Sequence, residues 1–217
     1  SIAARTGTTV EGLLGLAGAR FGGVVAAEKA YKTAKNGVSF VYFDINGVQI
    51  RFFHRAFSKI SEVSGMTPDK IESVFWHYND AVCRGEMSVE EFNSILSQQL
   101  RIPDFDWKTY YIESVDPIPE VHEVITWAAE HYRVGLLSNI FPGFIDALLK
   151  AGLLPDVPYA AVIDSSEVGA IKPEEQIYRA AQAIADVPGD QILFVDDSRS
   201  NLMGAERLGW HVLWFDD

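Results

Sequence analysis

Apolar residues gather into five short runs in the part of the chain that follows residue 37. Most positions within a run are aliphatic, aromatic or β-branched, and a polar or acidic residue follows each run directly. Such runs are typical of strands that are buried on both faces, as in a parallel sheet covered by helices. We therefore predict five strands, over residues 38–43, 132–137, 160–163, 191–195 and 211–215.

Helical periodicity separates the later strands. Apolar positions three or four residues apart predict helices over 120–131, 144–151, 174–184 and 199–208, and Gly209 follows the last of them as a C-terminal glycine. Strands that alternate with helices predict an α/β fold, because a parallel pair of strands needs a helical crossover. The expected architecture is a Rossmann-like open parallel sheet with helices on both faces.

Residues 54–118 interrupt this alternation. They contain no convincing strand, but they carry helical patterns over 68–84 and 88–100. The second pattern opens with Ser88-x-x-Glu91, the arrangement of a capping box. We predict an all-helical cap over 54–118, inserted after the first strand of an α/β core formed by 39–53 and 119–217.

The first 38 residues differ from the rest. Apolar residues recur near helical spacing between Val10 and Val25, which predicts an N-terminal helical extension over 1–38 that lies on the main domain or on a partner. Its role is not defined by the sequence. Glu11, Arg20 and several glycines interrupt the segment, so we do not interpret it as a membrane span.

The charge balance excludes some partners. Eighteen basic residues against 30 acidic residues leave a formal net charge of −12. Such a chain repels phosphate backbones and anionic lipid surfaces, so we expect it to bind neither nucleic acid nor membranes. The single cysteine, Cys83, excludes an internal disulfide and fits a reducing compartment, so a cytoplasmic location is expected. The oligomeric state is not defined.

Polar side chains follow three of the predicted strands at their carboxyl ends. Asp44 follows the first strand, Ser138 and Asn139 the second, and Asp196 and Asp197 the fourth. Because the carboxyl ends of parallel strands share one edge of a sheet, we expect these residues to converge there. Most also have a local explanation: Asp44 suits a turn, Ser138 or Asn139 suits a cap of the following helix, and Asp197 or Ser198 suits a cap of the helix over 199–208.

Three carboxylates at one edge repel one another unless a cation lies between them. A hard divalent cation such as Mg²⁺ takes oxygen ligands of this kind. Lys172, which lies in Ile171-Lys172-Pro173 ahead of a predicted helix, would neutralise a phosphate or a carboxylate if it reached the same edge.

Four motifs occur in order along the chain, over residues 41–48, 135–141, 168–173 and 193–198. On these motifs the sequence resembles the haloacid dehalogenase-like (HAD) hydrolase superfamily over roughly residues 38–217. It is most similar to the branch with a small helical cap after the first strand, which includes sugar-phosphate phosphatases and the phosphatase domain of soluble epoxide hydrolase. The stretch Arg84-Gly85-Glu86-Met87-Ser88 is similar to a recurrent part of that cap.

The resemblance implies roles for the converging residues. Asp44 would be the nucleophile that forms an aspartyl-phosphate, and Lys172 would hold both the nucleophile and the phosphoryl group. Ser138 would donate a hydrogen bond to a phosphate oxygen, with the backbone or side chain of Asn139 beside it.

The resemblance also implies a Mg²⁺ cofactor. Asp44 and the main-chain carbonyl of Asn46 would be ligands. Asp197 would bind the ion directly, and Asp196 would bind it directly or orient a bound water.

Asn46 departs from the family pattern, in which most phosphatases have a second aspartate two residues after the nucleophile as general acid and base. An amide does not titrate near neutral pH, and general acid–base catalysis contributes ~10²–10⁴-fold. Three interpretations follow. The substrate has a good leaving group, such as an anomeric or acyl phosphate; a water or another side chain replaces the acid; or the protein binds a phosphorylated ligand with little turnover.

We favour a Mg²⁺-dependent phosphatase that acts on a small phosphorylated metabolite, for example a sugar phosphate. The alternative is a catalytically weak phospholigand-binding or regulatory protein. A haloacid dehalogenase is less favoured, because those enzymes do not use Mg²⁺ and lack a pair such as Asp196-Asp197.

Overall fold

Five parallel strands form one sheet in the computed structural model, which describes residues 29–216. Their order across the sheet is β3-β2-β1-β4-β5, so β1 lies at the centre. Each strand begins and ends within two residues of its predicted run, and the predicted α/β class is confirmed. The strands are β1 (Phe40–Phe43), β2 (Arg133–Ser138), β3 (Ala161–Asp164), β4 (Ile192–Asp196) and β5 (His211–Trp214).

Helices supply every crossover between these strands. Four helices follow β1 before the crossover helix α5 leads into β2, which is the helical insertion that the sequence predicts. A short 3-10 helix, Gly189–Gln191, precedes β4. The α-helices of residues 29–216 are α1 (His54–Ser64), α2 (Pro68–Cys83), α3 (Val89–Leu100), α4 (Trp107–Ile112), α5 (Pro119–His131), α6 (Phe144–Lys150), α7 (Ser165–Val168), α8 (Glu175–Ala185) and α9 (Arg199–Glu206).

The predicted N-terminal helical extension is only partly covered by the described residues. Its apolar run between Val10 and Val25 lies outside them. Residues 29–38 are described and contain a turn but no helix. The Lys32 N–H donates a hydrogen bond to the carbonyl of His131, which is the last residue of α5 (2.7 Å). No helix among the described residues is both long enough and apolar enough to span a bilayer.

Both faces of the sheet are covered, which explains the nearly continuous apolar runs. Successive side chains of a strand point to opposite faces. In β1, Phe40 and Tyr42 pack in the core under α8 and α9, whereas Val41 and Phe43 pack in the core under α5. Burial on both sides leaves no polar position in the strand until Asp44.

The helical insertion has an aromatic core of its own. Phe53, Phe75 and Trp107 are buried there, and the ring centroids of Phe75 and Trp107 lie 4.6 Å apart. The same core includes Phe141 and Phe144, which follow β2. The insertion therefore packs on the segment that leaves the carboxyl end of β2.

The N-terminus of α3 allows a direct test of the capping-box prediction. The Ser88 hydroxyl accepts a hydrogen bond from the Glu91 N–H (3.0 Å), whereas Thr67, at the equivalent position of α2, makes no side-chain capping bond. We expect Ser88→Ala to lower the free energy of unfolding by about 1 kcal/mol, and Thr67→Ala by clearly less, in urea denaturation followed by circular dichroism. Equal losses for the two variants would contradict the assignment.

Candidate active site

The carboxyl edge of the sheet brings the predicted acidic residues together. Asp44 follows the central strand β1, and Asp196 ends the neighbouring strand β4 and is followed by Asp197. Each of the three side chains offers a carboxylate oxygen, and these oxygens all lie within 4.8 Å of one another. Asp44 and Asp196 are buried, whereas Asp197 is exposed. Like charges at this separation require a cationic partner.

Lys172 supplies one positive charge at this edge. Its side chain is buried, and Nζ donates to Asp44 Oδ1 (2.9 Å), to Asp196 Oδ2 (2.7 Å) and to the Leu137 carbonyl oxygen (3.1 Å). An ammonium group has three donors, so all its hydrogen-bonding capacity is used. Lys172 therefore joins the ends of β1, β2 and β4.

The charges of this cluster perturb one another. Burial alone would lower the pKa of Lys172, but Asp196 and Asp44 outweigh it, so the pKa is raised and the ammonium stays charged. Burial raises the pKa of Asp44 to about 7, with a further increase from the charge of Asp196 and an opposing effect of Lys172. Partial burial and Asp196 also raise the pKa of Asp197. The three carboxylates thus carry more negative charge than one lysine neutralises.

The donor set fits a hard divalent cation such as Mg²⁺, which prefers carboxylate and carbonyl oxygens. Gly47 makes room for the Asp197 carboxylate, which is one member of this donor set. A Cβ at position 47 would lie 2.1 Å from Asp197 Oδ2, and the backbone there has φ +81°. Asp196 is more fully engaged by the protein. Besides Lys172, its carboxylate accepts hydrogen bonds from the Ser198 N–H (2.7 Å) and from Asn201 Nδ2 (3.2 Å).

The end of β2 provides polar groups beside Lys172. The Ser138 hydroxyl is buried and has no hydrogen-bond partner among the described residues, which is costly unless a ligand supplies one. The Asn139 side chain is already occupied. Its Nδ2 donates to the Lys172 carbonyl (3.0 Å), and its Oδ1 accepts from the Lys172 N–H (2.7 Å). The Asn139 side chain therefore holds the backbone of the lysine through both of its polar atoms.

Helix capping does not explain the polar residues that follow β2, and it explains those that follow β4 only weakly. The helix after β2 begins at Phe144 and has Gly143 at its N-cap, so neither Ser138 nor Asn139 caps it. Ser198 is the N-cap of α9 but makes no side-chain capping bond. The Asp44 Oδ1 accepts the N–H of the next residue, Ile45 (2.7 Å), and not that of residue 46, which an Asx turn would require.

Asn46 has a partner that the sequence did not indicate. The Tyr111 hydroxyl, in α4 of the helical insertion, donates to Asn46 Oδ1 (2.7 Å). Burial raises the pKa of Tyr111 far above its ordinary value, so the hydroxyl keeps its proton. No spacing or composition signal relates residue 111 to residue 46, because only the packing of the insertion on the sheet brings them together.

A second link between insertion and core was also missed. Arg84, at the end of α2, forms an ion pair with Glu174, whose Oε2 accepts the Ile171 N–H (3.1 Å). The resemblance had marked the stretch around Arg84 as cap, without a partner. The pair connects the insertion to the loop that carries Lys172.

A small cavity of about 20 Å³ lies between the insertion and this edge of the sheet. That volume is enough for about one water molecule. No charged side chain lines it. The lining consists of Cys83 and Ile140, of Asn46, Asn79 and Asn139, and of the aromatic residues Phe53, Phe75, Trp107, Tyr111, Phe141 and Phe144.

Comparisons with known proteins agree with the architecture. The family model described as haloacid dehalogenase-like hydrolase matches residues 39–209. No curated protein sequence matches the chain.

Solved structures share the fold at low sequence identity. A HAD family enzyme from Bacteroides thetaiotaomicron, an aspartate-to-alanine mutant in complex with magnesium and inorganic phosphate, has a TM-score of 0.72 at 20% identity over 83% of this chain and 95% of its own. A HAD phosphatase from Thermococcus onnurineus has a TM-score of 0.59 at 21% identity, over 82% and 86%. The L-2-haloacid dehalogenase from Xanthobacter autotrophicus has a TM-score of 0.60 at 18% identity, over 81% and 76%.

Gly47 provides a test of the cation site with a matched control. Gly47 and Gly65 both have positive φ, but a Cβ at Gly65 would meet nothing within 4 Å. We expect alanine at either position to lower the free energy of unfolding by about 1–2 kcal/mol, because both backbones are left-handed. Only Gly47→Ala should also weaken Mg²⁺ binding, by about tenfold or more, in isothermal titration calorimetry. Equal Mg²⁺ affinities for both variants would exclude Asp197 from the site.

The raised pKa of Asp44 predicts pH-dependent metal binding. Below about pH 7 a metal ion must displace the proton that Asp44 holds. The Mg²⁺ affinity should therefore reach its maximum above that pH and fall as the pH decreases through it. The loss should approach about tenfold per pH unit, since one proton is exchanged. Calorimetry between pH 6 and 8 measures this dependence. The Asp44→Asn variant should bind Mg²⁺ more weakly, and its affinity should depend less steeply on pH. A Mg²⁺ affinity of the unmodified chain that does not change with pH would contradict the prediction.

Proposed function

The chain belongs to the haloacid dehalogenase-like hydrolase family, and we propose that it is a Mg²⁺-dependent phosphatase that hydrolyses a small phosphorylated metabolite through an aspartyl-phosphate on Asp44. The observation that carries this proposal is the buried cluster in which Lys172 Nζ contacts both Asp44 (2.9 Å) and Asp196 (2.7 Å) beside the exposed Asp197. A carboxylate held next to a fixed cation suits attack on an anionic phosphoryl group.

Asp44 would act as the nucleophile. Its carboxylate oxygen forms a bond to phosphorus while the bond between phosphorus and the leaving-group oxygen breaks, and water later hydrolyses the acyl phosphate. Lys172 lowers the repulsion between the carboxylate and the phosphoryl oxygens. Because its ammonium is also bound to Asp196 and the Leu137 carbonyl, it is oriented before the substrate arrives.

The metal site would consist of Asp44, the Asn46 carbonyl and Asp197, with Asp196 as a ligand or as a partner of bound water. Mg²⁺, when bound, would supply the positive charge that phosphoryl oxygens need next to a carboxylate. Two observations support this assignment. The carboxylate oxygens lie within 4.8 Å of one another, and the three carboxylates carry more negative charge than Lys172 neutralises. The similar Bacteroides thetaiotaomicron enzyme, described in complex with magnesium and inorganic phosphate, supports it as well.

The phosphate would be held at the end of β2. The unpaired Ser138 hydroxyl would donate to a phosphate oxygen, and the Asn139 backbone would lie beside it. The Asn139 side chain would contribute indirectly, by fixing the Lys172 backbone at both of its polar atoms.

The helical insertion would act as the cap that excludes water and selects the substrate. The cavity beneath it, about 20 Å³, has no room for a metabolite such as a sugar phosphate. Access to Asp44 would therefore require the insertion to move, and the half-buried Arg84–Glu174 ion pair is a contact that such a movement would break.

A phospholigand-binding protein with little turnover is the second candidate function. Asn46 favours it, because the amide cannot serve as the general acid and base that most phosphatases of this family place there. The two candidates share the phosphate and Mg²⁺ sites and differ only in turnover.

Phosphate release tests the proposal. We expect the chain to release phosphate from one or more compounds in a panel of sugar, acyl and aryl phosphates with Mg²⁺, and EDTA to abolish the release. Asp44→Asn should reduce kcat by more than about 10³-fold, because the nucleophile is lost. Asp186→Asn, at the end of α8, is the matched control and should keep full activity.

The outcomes separate the candidates. Release that persists in EDTA or in Asp44→Asn contradicts the phosphatase mechanism. Thermal stabilisation by phosphorylated compounds without release favours the binding protein. Chloride release from 2-chloropropionate without Mg²⁺ would favour a dehalogenase.

A further inference from the structure

We propose that Tyr111 is a positioning residue that turns the amide NH₂ of Asn46 toward the leaving-group oxygen. The chain consequently acts on phosphoryl compounds whose leaving group is weakly basic and carries no further charged group. This inference rests on the proposed phosphatase function. It assigns to residue 46 the role of a hydrogen-bond donor that transfers no proton.

The first step is the rigidity of Tyr111. Its hydroxyl donates to Asn46 Oδ1 (2.7 Å), and its side chain is 2% exposed. The ring lies between Phe53, ahead of α1 (centroids 5.5 Å apart), and Phe144, at the start of α6 (5.2 Å). Aromatic contacts from two other parts of the chain hold the ring, so the position of the hydroxyl is set by packing.

The second step concerns the amide. A side-chain amide is planar, with an acceptor on one side and two donors on the other. Because the Tyr111 hydroxyl occupies the acceptor, the Asn46 amide presents Nδ2 to its remaining surroundings. Nδ2 forms no hydrogen bond with residues 29–216, and Asn46 lines the small cavity under the insertion. Tyr111 therefore selects one of the two orientations of the amide.

The third step is chemical. When the phosphorus–oxygen bond breaks, its electron pair goes to the leaving-group oxygen, which becomes negative. An oriented N–H stabilises that charge but supplies no proton, so the oxygen departs as an anion and takes its proton from water. Leaving groups that are stable as anions, such as carboxylates and phenolates, need no acid. Alcohol leaving groups do.

The lining of the cavity restricts the leaving group further. It combines aromatic rings with the asparagines 46, 79 and 139 and has no charged side chain, although Lys108 Nζ lies 5.4 Å from the Phe144 ring centroid. A second anionic group on the leaving group would find no cation in this lining and would lose its hydration. Once the insertion has moved to admit a substrate, this lining therefore favours small acyl and aryl phosphates over bisphosphates or phosphorylated acids.

The test measures how the rate depends on leaving-group basicity. The substrates are acetyl phosphate, a series of aryl phosphates from nitro-substituted to unsubstituted, and an alkyl phosphate, all with Mg²⁺. The enzymes are the unmodified chain, Tyr111→Phe, Asn46→Ala, the double variant and Asn46→Asp. Tyr42→Phe is the matched control, because the buried Tyr42 hydroxyl donates to the Ala181 carbonyl (2.8 Å), outside the site.

We expect rates of the unmodified chain to fall steeply as the leaving group becomes more basic. Tyr111→Phe should lower kcat by about tenfold for the more basic aryl phosphates, with little change in KM, because one oriented hydrogen bond is lost in the transition state. In the Asn46→Ala background the same change should have no further effect on kcat. Tyr42→Phe should lower thermal stability and leave the dependence on the leaving group unchanged.

Equal effects of Tyr111→Phe on kcat in the two backgrounds would overturn the inference, since a purely structural role predicts additive losses. Asn46→Asp keeps the test decisive if Tyr111→Phe does not fold. It should make the dependence shallower and raise the rate on the alkyl phosphate by about 10²-fold, and an unchanged dependence would show that residue 46 does not face the leaving group. Absence of any EDTA-sensitive release by the unmodified chain would instead reject the phosphatase function, and the inference with it.

Discussion

The ion cluster of Lys172 with Asp44 and Asp196 is the interaction on which the rest of the site depends. A buried ammonium is stable only when carboxylates and hydrogen bonds replace its water, and here it has Asp44, Asp196 and the Leu137 carbonyl as partners. These partners belong to the ends of three adjacent strands. The lysine thus requires the parallel order of β2, β1 and β4, and the Asn139 side chain holds its backbone in place. Loss of either carboxylate would leave the buried ammonium with one charged partner instead of two.

The same cluster reconciles an acidic protein with an anionic substrate. The net charge of −12 is a property of the whole surface, and it opposes binding of polyanions. At the edge of the sheet, however, one lysine and a divalent cation would face a single phosphoryl group, at distances where local charges outweigh the remote surface. The raised pKa of Asp44 shows that this carboxylate, when buried without a metal, is close to losing its charge near neutral pH. Metal binding and nucleophilicity are therefore linked through one group.

In the proposed mechanism, the helical insertion would contribute to the chemistry as well as to access. Its aromatic core reaches the end of β2 through Phe141 and Phe144, and one of its tyrosines contacts Asn46. Residue 46 lies two positions after Asp44, the proposed nucleophile, so the insertion forms an interaction close to the proposed reacting group. A movement of the insertion would therefore alter the surroundings of Asn46.

Local patterns in the sequence determined the class of the fold and the residues available for chemistry. Strands buried on both faces leave nearly continuous apolar runs, helices leave a period of 3.6 residues, and parallel strands place their carboxyl ends at one edge. The convergence of Asp44, Asp196 and Asp197 follows from this rule, as does the place of Ser138. Only the tertiary structure decided which side chains pair across the insertion and the core. Tyr111 with Asn46, Arg84 with Glu174, and the Asn139 side chain with the Lys172 backbone are separated by 33 to 90 residues, and no periodicity records such contacts. The first two contacts arise when the insertion packs on the sheet, and the third arises within the core, where the loops that follow β2 and β3 meet; each depends on the shapes of both surfaces together.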